Sequence, residues 1–395
     1  MTSQVAVANH SGVAVASDTV TTAFVEGGTK SIGNSHKIWE IGKNHRVLIL
    51  HSGSVTQNGV TNKLLVNEWA ATLQEPLSHL SDYVDSFIQW MADEQEIHTP
   101  NSEHKRANFL LNDHYYEVKN RAIARWNEIP IEEEQYTSKE EVLNQVAMEG
   151  LEYLGALDFN PGFISDSEAT KALDNDVIEL DAKIEYIFSE IGLSDHSRSI
   201  LKESASLVLA RSQDFPGSST IAFVGFGTSE YFAGNIRLNS KGFYAGKFIY
   251  EAGEYSCVSP ESGSSVTAFA QDEAIWGFVR GFRWPILDRI SELIELHVNE
   301  RIENDEGENV GEEIAVKVRE TIYEFYRKRF TDPLLDSIEG LDLSHLANLA
   351  DSLVGMEATS AFGGDSPATV GGFIEVATID RQNGIVWVKK LNDSY

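Results

Sequence analysis

The chain has a single cysteine, Cys257, among 395 residues. One cysteine cannot form an intramolecular disulfide, and it excludes a zinc site built from four cysteines. Low cysteine usage is typical of proteins from a reducing compartment, so we expect a cytoplasmic protein. The amino terminus also lacks a basic leader followed by an apolar run, and we therefore expect no secretory signal.

Basic residues are scarce relative to acidic ones. The chain holds 31 Lys and Arg against 61 Asp and Glu, for a formal net charge of -30 at pH 7. Such a charge repels phosphate backbones and anionic lipids, so we expect neither nucleic acid nor a membrane as a partner. No apolar run approaches the ~18–20 residues that span a bilayer. The 42% of hydrophobic residues is typical of a soluble globular protein.

Several familiar catalytic and metal-binding motifs are also missing. The sequence contains no Gly-x-Ser-x-Gly elbow, no Walker loop and no His-Glu-x-x-His pair. Asp174 begins a segment like a calcium loop, but the central glycine and the closing glutamate are not there. We therefore expect neither a metal nor a cofactor.

Hydrophobic periodicity divides the chain into blocks of strands and blocks of helices. Blocks of this kind predict an α+β protein in which helices cover antiparallel sheets. The predicted core comprises residues 1–66, 216–283 and 341–395, interrupted by helical insertions at 67–215 and 284–340. The charge follows this division, because residues 1–66 hold 5 basic and 3 acidic side chains while residues 67–215 hold 11 and 30.

The strand blocks predict particular hairpins from β-branched alternation and turn residues. Residues 4–8 pair with 12–18 and residues 37–41 with 46–51, and a loop over about 19–35 connects the two pairs. A third hairpin is expected to turn at 239–242. An Asn-Gly turn joins the last two strands, 373–379 and 385–389.

The candidate nucleophile is the second residue of the chain. Bacterial-type processing removes Met1 when the next residue is small, and removal here would give Thr2 a free α-amine. Because that amine has a pKa near ~7.7–8.0, it can act as the general base for the threonine hydroxyl. The alternative is that Thr2 is simply the second residue of an ordinary chain.

The residues after Met1 resemble a known family. Residues 2–18, TSQVAVANHSGVAVASD, resemble the amino terminus of proteasome β-subunits and of their simpler bacterial relative, the peptidase partner of a ring ATPase. These are N-terminal nucleophile hydrolases. The resemblance extends to Asn34-Ser-His-Lys-Ile38, Ser52-Gly-Ser54 and the strand around Gly371-Gly372, and it covers about half of the chain. It implies an αββα sandwich of two antiparallel sheets between helical layers, enlarged here by helical insertions.

The resemblance also implies roles for four residues. The Thr2 hydroxyl would attack a carbonyl, and the positive charge of Lys37 would lower the pKa of the hydroxyl and the amine. Asp18 would keep Lys37 charged and oriented. The Gly53 backbone N–H would donate to the oxyanion of the tetrahedral intermediate.

Three features depart from the family pattern. The segment before Lys37 is longer than usual, and the helical insertions have no counterpart. The Asp-x-x-Ser that often precedes the Gly-Gly pair is missing, with Pro367 and Val370 in its places. Ser262 and Ser264 are candidates for a supporting serine, with an ordinary Gly/Ser loop as the alternative.

We therefore expect a threonine-type peptidase or amidohydrolase that acts on peptides or proteins. The family assembles into rings, so the resemblance implies a homo-oligomer, with an ATPase or regulatory protein as a further partner. Two other interpretations stay open. One is a catalytically inactive scaffold or regulatory protein, motivated by the missing Asp-x-x-Ser, and the other is an amidase of the same fold acting on a small molecule.

Overall fold

The computed structural model describes residues 2–25, 28–94, 96–129, 137–160, 162–174, 177–211, 217–299, 310–363 and 370–392. Their strands and helices form an α+β protein with antiparallel sheets, as the sequence predicts. The strands are β1 (Ser3–Asn9), β2 (Gly12–Asp18), β3 (Val20–Val25), β4 (Gly28–Asn34), β5 (Ile38–Glu40), β6 (Val47–Gly53), β7 (Thr56–Gln57), β8 (Val60–Thr61), β9 (Ser219–Gly225), β10 (Gly234–Tyr244), β11 (Lys247–Ala252), β12 (Ser256–Cys257), β13 (Ser264–Ala270), β14 (Ile374–Asp380) and β15 (Gly384–Lys389). The helices are α1 (Asn62–Thr72), α2 (Leu80–Asp93), α3 (Pro100–Glu128), α4 (Lys139–Ala156), α5 (Asp166–Asp174), α6 (Val177–Phe188), α7 (Asp195–Ala210), α8 (Glu273–Arg280), α9 (Trp284–Asn299), α10 (Val310–Tyr326), α11 (Asp332–Glu339) and α12 (Leu343–Phe362), with a π-helical turn at Arg327–Thr331.

The first sheet has the strand order β13-β1-β2-β14-β15. Its centre is the predicted β1–β2 hairpin, in which Gln4 lies opposite Ser17 and Asn9 lies opposite Gly12. Every residue of both strands is buried. Small and β-branched side chains suit such strands, because both faces of the sheet are covered.

The second sheet has the order β11-β10-β9-β6-β5, with β12 paired to β10. The predicted pairing of β5 with β6 is confirmed, with Ile38 opposite Leu50. On its other edge β6 pairs with β9, which lies far away in sequence.

The two sheets pack face to face and are covered by helices on their outer faces, and this part of the structure is here called the sandwich. The core between the sheets includes Ala6 and Val15 from the first sheet and Leu48, Leu50 and Val224 from the second. Helices α8, α11 and α12 cover the first sheet. Helices α1 and α2 cover the second sheet.

Helices α3–α7, here called the helical unit, have an apolar core of their own. Its fully buried members include Leu110, Leu143 and Leu201. The unit joins the second sheet through Tyr244 of β10, whose hydroxyl donates to the Leu209 carbonyl at 2.8 Å. Because α1 and α2 pack on the sheet, we propose that the first insertion begins at α3 rather than at residue 67.

Two sequence predictions about chain reversals are wrong. The segment expected to be a loop at 19–35 forms the β3–β4 hairpin, with Val20 opposite Asn34, because its β-branched residues favour strand pairing despite the neighbouring glycines. The turn expected at 239–242 lies inside β10, where Gly242 absorbs a bulge with φ +90°. The chain reverses instead at Ala245 and Gly246, both with positive φ. None of the described helices is long and apolar enough to cross a membrane.

Candidate active site

One end of the β1–β2 hairpin brings Thr2 and Asp18 together. Thr2 immediately precedes β1, and Asp18 is the last residue of β2. The Ser3 N–H donates to Asp18 Oδ1 at 3.0 Å. The Thr2 carbonyl accepts from the Gln271 N–H at 2.8 Å, which ties this end of β1 to the segment after β13. Hydrogen bonds on both sides therefore fix the backbone of Thr2.

Asp18 is fully buried and accepts hydrogen bonds from three donors among the described residues. Its Oδ1 accepts from Lys37 Nζ at 2.8 Å as well as from Ser3 N–H. Its Oδ2 accepts from the Gly371 N–H at 3.1 Å. These donors give the carboxylate the partners that a buried charge needs. Because the Lys37 ammonium and the Ser3 N–H donate to the same oxygen, the ammonium lies close to Thr2.

Lys37 lies between the two sheets, immediately before β5. Its carbonyl accepts from the His51 N–H at 2.9 Å and from Gln4 Nε2 at 3.3 Å, so strands of both sheets fix its position. Burial lowers the pKa of Lys37, and the charge and hydrogen bond of Asp18 and the charge of Glu375 oppose that shift. The result is a desolvated cation beside a threonine, which is an arrangement that can lower the pKa of a hydroxyl or amine.

A cleft of about 280 Å³ opens at this end of the sandwich. Three of the four principal residues predicted from the sequence, Thr2, Lys37 and Gly53, line it, and the fourth, Asp18, lies behind Lys37. The other lining residues are Val20, Thr21, Thr22, Ser35, His36, Trp39, His51, Ser52, Val55, Thr61 and Lys63.

Gly53 ends β6 at the wall of the cleft. Its φ is +83°, and a Cβ there would lie 2.3 Å from the Ser218 carbonyl oxygen. Both the conformation and the close approach require glycine. The predicted turn at Gly53 therefore has a steric basis in the contact between β6 and the residue before β9.

Ser262 and Ser264 do not join this group. Ser264 pairs with Asn9, at the opposite end of β1 from Thr2, and its hydroxyl donates to the Leu335 carbonyl at 2.7 Å. Ser262 belongs to an exposed turn, where its Oγ accepts from the Ser259 N–H at 3.1 Å. The register of β13 places Ala270, not a serine, opposite Ser3. The expected supporting role of the two serines therefore has no geometric basis. Pro367 lies outside the described residues.

Glu375 is a buried acid that the sequence interpretation missed. It lies on β14 opposite Ser17, and its Oε1 accepts from the Leu391 N–H at 3.2 Å and lies 2.6 Å from His36 Nδ1. Its Oε2 is buried and has no hydrogen-bond partner among the described residues. An acid in the middle of an apolar strand, as in Phe373-Ile-Glu-Val-Ala377, is the signal that could have revealed it.

His51 is a second polar residue that the sequence interpretation missed. Its ring stacks on Trp39 with 5.1 Å between centroids, and its Nε2 lies 2.9 Å from the Ser54 carbonyl oxygen. Burial lowers the pKa of His51 to about 4, and the nearby charge of Lys37 acts in the same direction. The imidazole is therefore neutral at neutral pH. Within the described part of the chain, no group of three or more His, Cys, Asp or Glu side chains is arranged to hold a metal ion.

Comparison with known proteins adds little to this geometry. No family model matches the chain, and no curated protein matches it. Among solved structures, a mutant of Anbu from Hyphomicrobium sp. strain MC1 matches with a TM-score of 0.28 and 10% sequence identity. The match covers 98% of this chain and 85% of that chain. A TM-score of this size carries no weight for fold or function, so the site is interpreted from its own residues.

Proposed function

We propose that the chain is a proteasome-like N-terminal nucleophile hydrolase that cleaves peptide or amide bonds. Its nucleophile is Thr2, exposed by removal of Met1, and its fold is the αββα sandwich of that superfamily. The observation that carries the proposal is the cleft lined by Thr2, Lys37 and Gly53. The buried ion pair of Lys37 with Asp18 supports it further.

The reaction proceeds by acyl transfer. The Thr2 Oγ attacks the substrate carbonyl carbon while the α-amine accepts the hydroxyl proton. The Gly53 N–H donates to the resulting oxyanion. Collapse of the tetrahedral intermediate breaks the amide C–N bond, and the leaving nitrogen takes the proton from the α-ammonium. Water then hydrolyses the Thr2 ester and regenerates both groups.

Lys37 acts through its charge in this mechanism. A cation beside Thr2 lowers the pKa of its amine, which raises the neutral fraction available as a base. Burial lowers the pKa of Lys37, and Asp18 opposes that shift with an ion pair at 2.8 Å. Asp18 is therefore a positioning residue, because it acts on the substrate only through Lys37.

Intact-mass measurement of the purified protein, with and without a threonine-reactive electrophile, tests the proposal. We expect a mass lacking Met1 and one inhibitor adduct per chain, located on Thr2. The matched control is Thr2→Ala, whose small side chain preserves Met1 removal and which should stay unmodified. Retention of Met1 with no adduct on Thr2 would contradict the proposal.

A catalytically inactive scaffold or regulatory protein is the second candidate. The observation that favours it is the β1–β13 register, which places Ala270 opposite Ser3 and the candidate supporting Ser264 at the far end of β1. An unchanged cellular function in a Thr2→Ala strain would support the scaffold. Hydrolysis of small amides but not peptides would instead indicate an amidase of the same fold.

The proposal includes a homo-oligomeric ring, with an ATPase or regulatory partner. Native mass spectrometry measures the number of subunits in this ring.

A further inference from the structure

We infer that the cleft selects substrates with a carboxylate-bearing side chain next to the scissile bond, and that Lys63 makes this selection. The substrate class is therefore an acidic peptide. This inference rests on the proposed function for the position of the scissile bond, and it goes further by assigning a charge preference to the cleft.

The charge of the cleft lining is opposite to that of the chain as a whole. Acidic residues outnumber basic ones by 61 to 31 in the sequence. Among the described residues, the cleft lining nevertheless includes Lys37 and Lys63 and contains no Asp or Glu. A wall of this composition attracts anionic groups and repels cationic ones, even though the protein as a whole is strongly acidic.

The uncompensated positive charge belongs to Lys63 rather than to Lys37. Lys37 forms its ion pair with Asp18 at 2.8 Å, and His36 lies 2.6 Å from the carboxylate of Glu375. Both of these acids lie behind the lining and already have basic partners. Lys63 is exposed, and no carboxylate of the described residues lies within ion-pair distance of it. An incoming carboxylate would therefore find its free cation at Lys63.

The place of Lys63 in its helix also indicates a role outside the helix. It stands in the first turn of α1, which contains no acidic residue. A cation at a helix N-terminus opposes the helix dipole, so the lysine does not serve the stability of α1. The preceding N-cap residue, Thr61, makes no capping hydrogen bond with its side chain, and it lines the same cleft. Its hydroxyl and the Lys63 ammonium can donate to one carboxylate together.

The test measures binding separately from catalysis. The Thr2→Ala protein is titrated by calorimetry with two blocked tetrapeptide amides that differ only in a final Glu or Gln. We expect the Glu peptide to bind about tenfold more tightly at low salt, and the preference to shrink as salt screens the charge. Lys63→Ala should make the two affinities equal, and Lys63→Glu should favour a peptide ending in Lys. The matched control is Lys43→Glu, the same charge reversal at an exposed lysine outside the cleft lining, which should keep the Glu preference.

The outcomes separate this inference from the proposed function. Equal binding of the Glu and Gln peptides, or no binding of either, overturns the charge preference. A preference that survives Lys63→Ala overturns the assignment to Lys63. Selective binding by Thr2→Ala, combined with no cleavage by the wild-type protein, would support the acidic preference while contradicting hydrolysis by Thr2.

Discussion

The sandwich and the helical unit bury different kinds of side chain. At one end of the sandwich Asp18, Lys37 and Glu375 are all inaccessible or nearly so to solvent. The helical unit has an apolar core, and its ion pairs lie at the surface, as in the 2.7 Å pair of Arg125 with Glu149. The sandwich therefore buries charged side chains, whereas the helical unit keeps its ion pairs at the surface.

This difference bears on which ion pairs indicate stability and which indicate chemistry. Removing a charge from water costs several kcal/mol, and an ion pair often recovers that cost only in part. A buried pair such as Lys37–Asp18 is therefore weak support for stability and stronger support for chemistry. The surface pairs of the helical unit support neither stability nor chemistry, because exposed ion pairs contribute little free energy.

The largest effect is expected from breaking the buried pair. Lys37→Met leaves the buried Asp18 carboxylate with the N–H groups of Ser3 and Gly371 as its donors among the described residues. We expect this change to lower the free energy of unfolding by about 3–5 kcal/mol. It should also reduce peptide hydrolysis about 10²–10⁴-fold, because the cation beside Thr2 is lost. Urea unfolding and steady-state kinetics measure the two effects.

Two further variants give this prediction its controls. Adding Asp18→Asn to Lys37→Met removes the orphaned charge, so stability should recover while activity stays low. In the helical unit, Arg125→Met should cost less than about 1 kcal/mol and leave hydrolysis unchanged. A similar loss of stability from Lys37→Met and Arg125→Met would remove the contrast between the two regions.

A smaller effect is expected from matched truncations of apolar residues. Leu50 between the sheets and Leu143 in the helical unit are both fully buried. Each Leu→Ala change should cost about 2–5 kcal/mol. Leu50 precedes His51, whose N–H holds the Lys37 carbonyl, so Leu50→Ala should also lower kcat/KM of the folded protein. Equal kcat/KM for the two variants would show that the site tolerates movement of β6.

The elements predicted from sequence are those with a local signal. Strands β1, β2, β6 and β14 have runs of small or β-branched residues, and α2 and α6 have clear 3.6-residue periodicity. Strand β13 escaped prediction because it begins with two serines and its partner β1 lies more than 250 residues away in the sequence. Its pairing depends on tertiary packing, which local patterns do not encode.

The residues of the site were likewise predictable where the sequence signal was local, and not where they depend on the pairing of distant strands. Family resemblance supplied Thr2, Asp18, Lys37 and Gly53, which surround or support one cleft. Glu375 reaches the site only through the pairing of β14 with β2. Ser264 was misplaced for the same reason, because only the β1–β13 register reveals which residue lies beside Thr2.

The smallest expected effect concerns how the stability of the two regions depends on pH. Each region buries a histidine whose pKa burial lowers to about 4, namely His51 in the sandwich and His114 in the helical unit. Between pH 6.5 and 4 the unfolded chain binds protons at these positions and the folded chain does not. Their contribution to stability is therefore fully present above pH 6.5 and is lost as pH falls to 4, by up to about 3 kcal/mol for each histidine.

Gln variants, which cannot become charged, separate the two contributions. His51→Gln and His114→Gln should each remove a similar part of the acid-induced loss, measured as the difference in urea unfolding between pH 7 and pH 4.5 relative to the wild type. If the two regions unfold cooperatively, one transition will report both histidines. If the helical unit unfolds first on acidification, only His114→Gln will shift the early transition, since His114 bonds Ser204 inside that unit. An unchanged acid profile in both variants would contradict the assignment of neutral, buried imidazoles to the two cores.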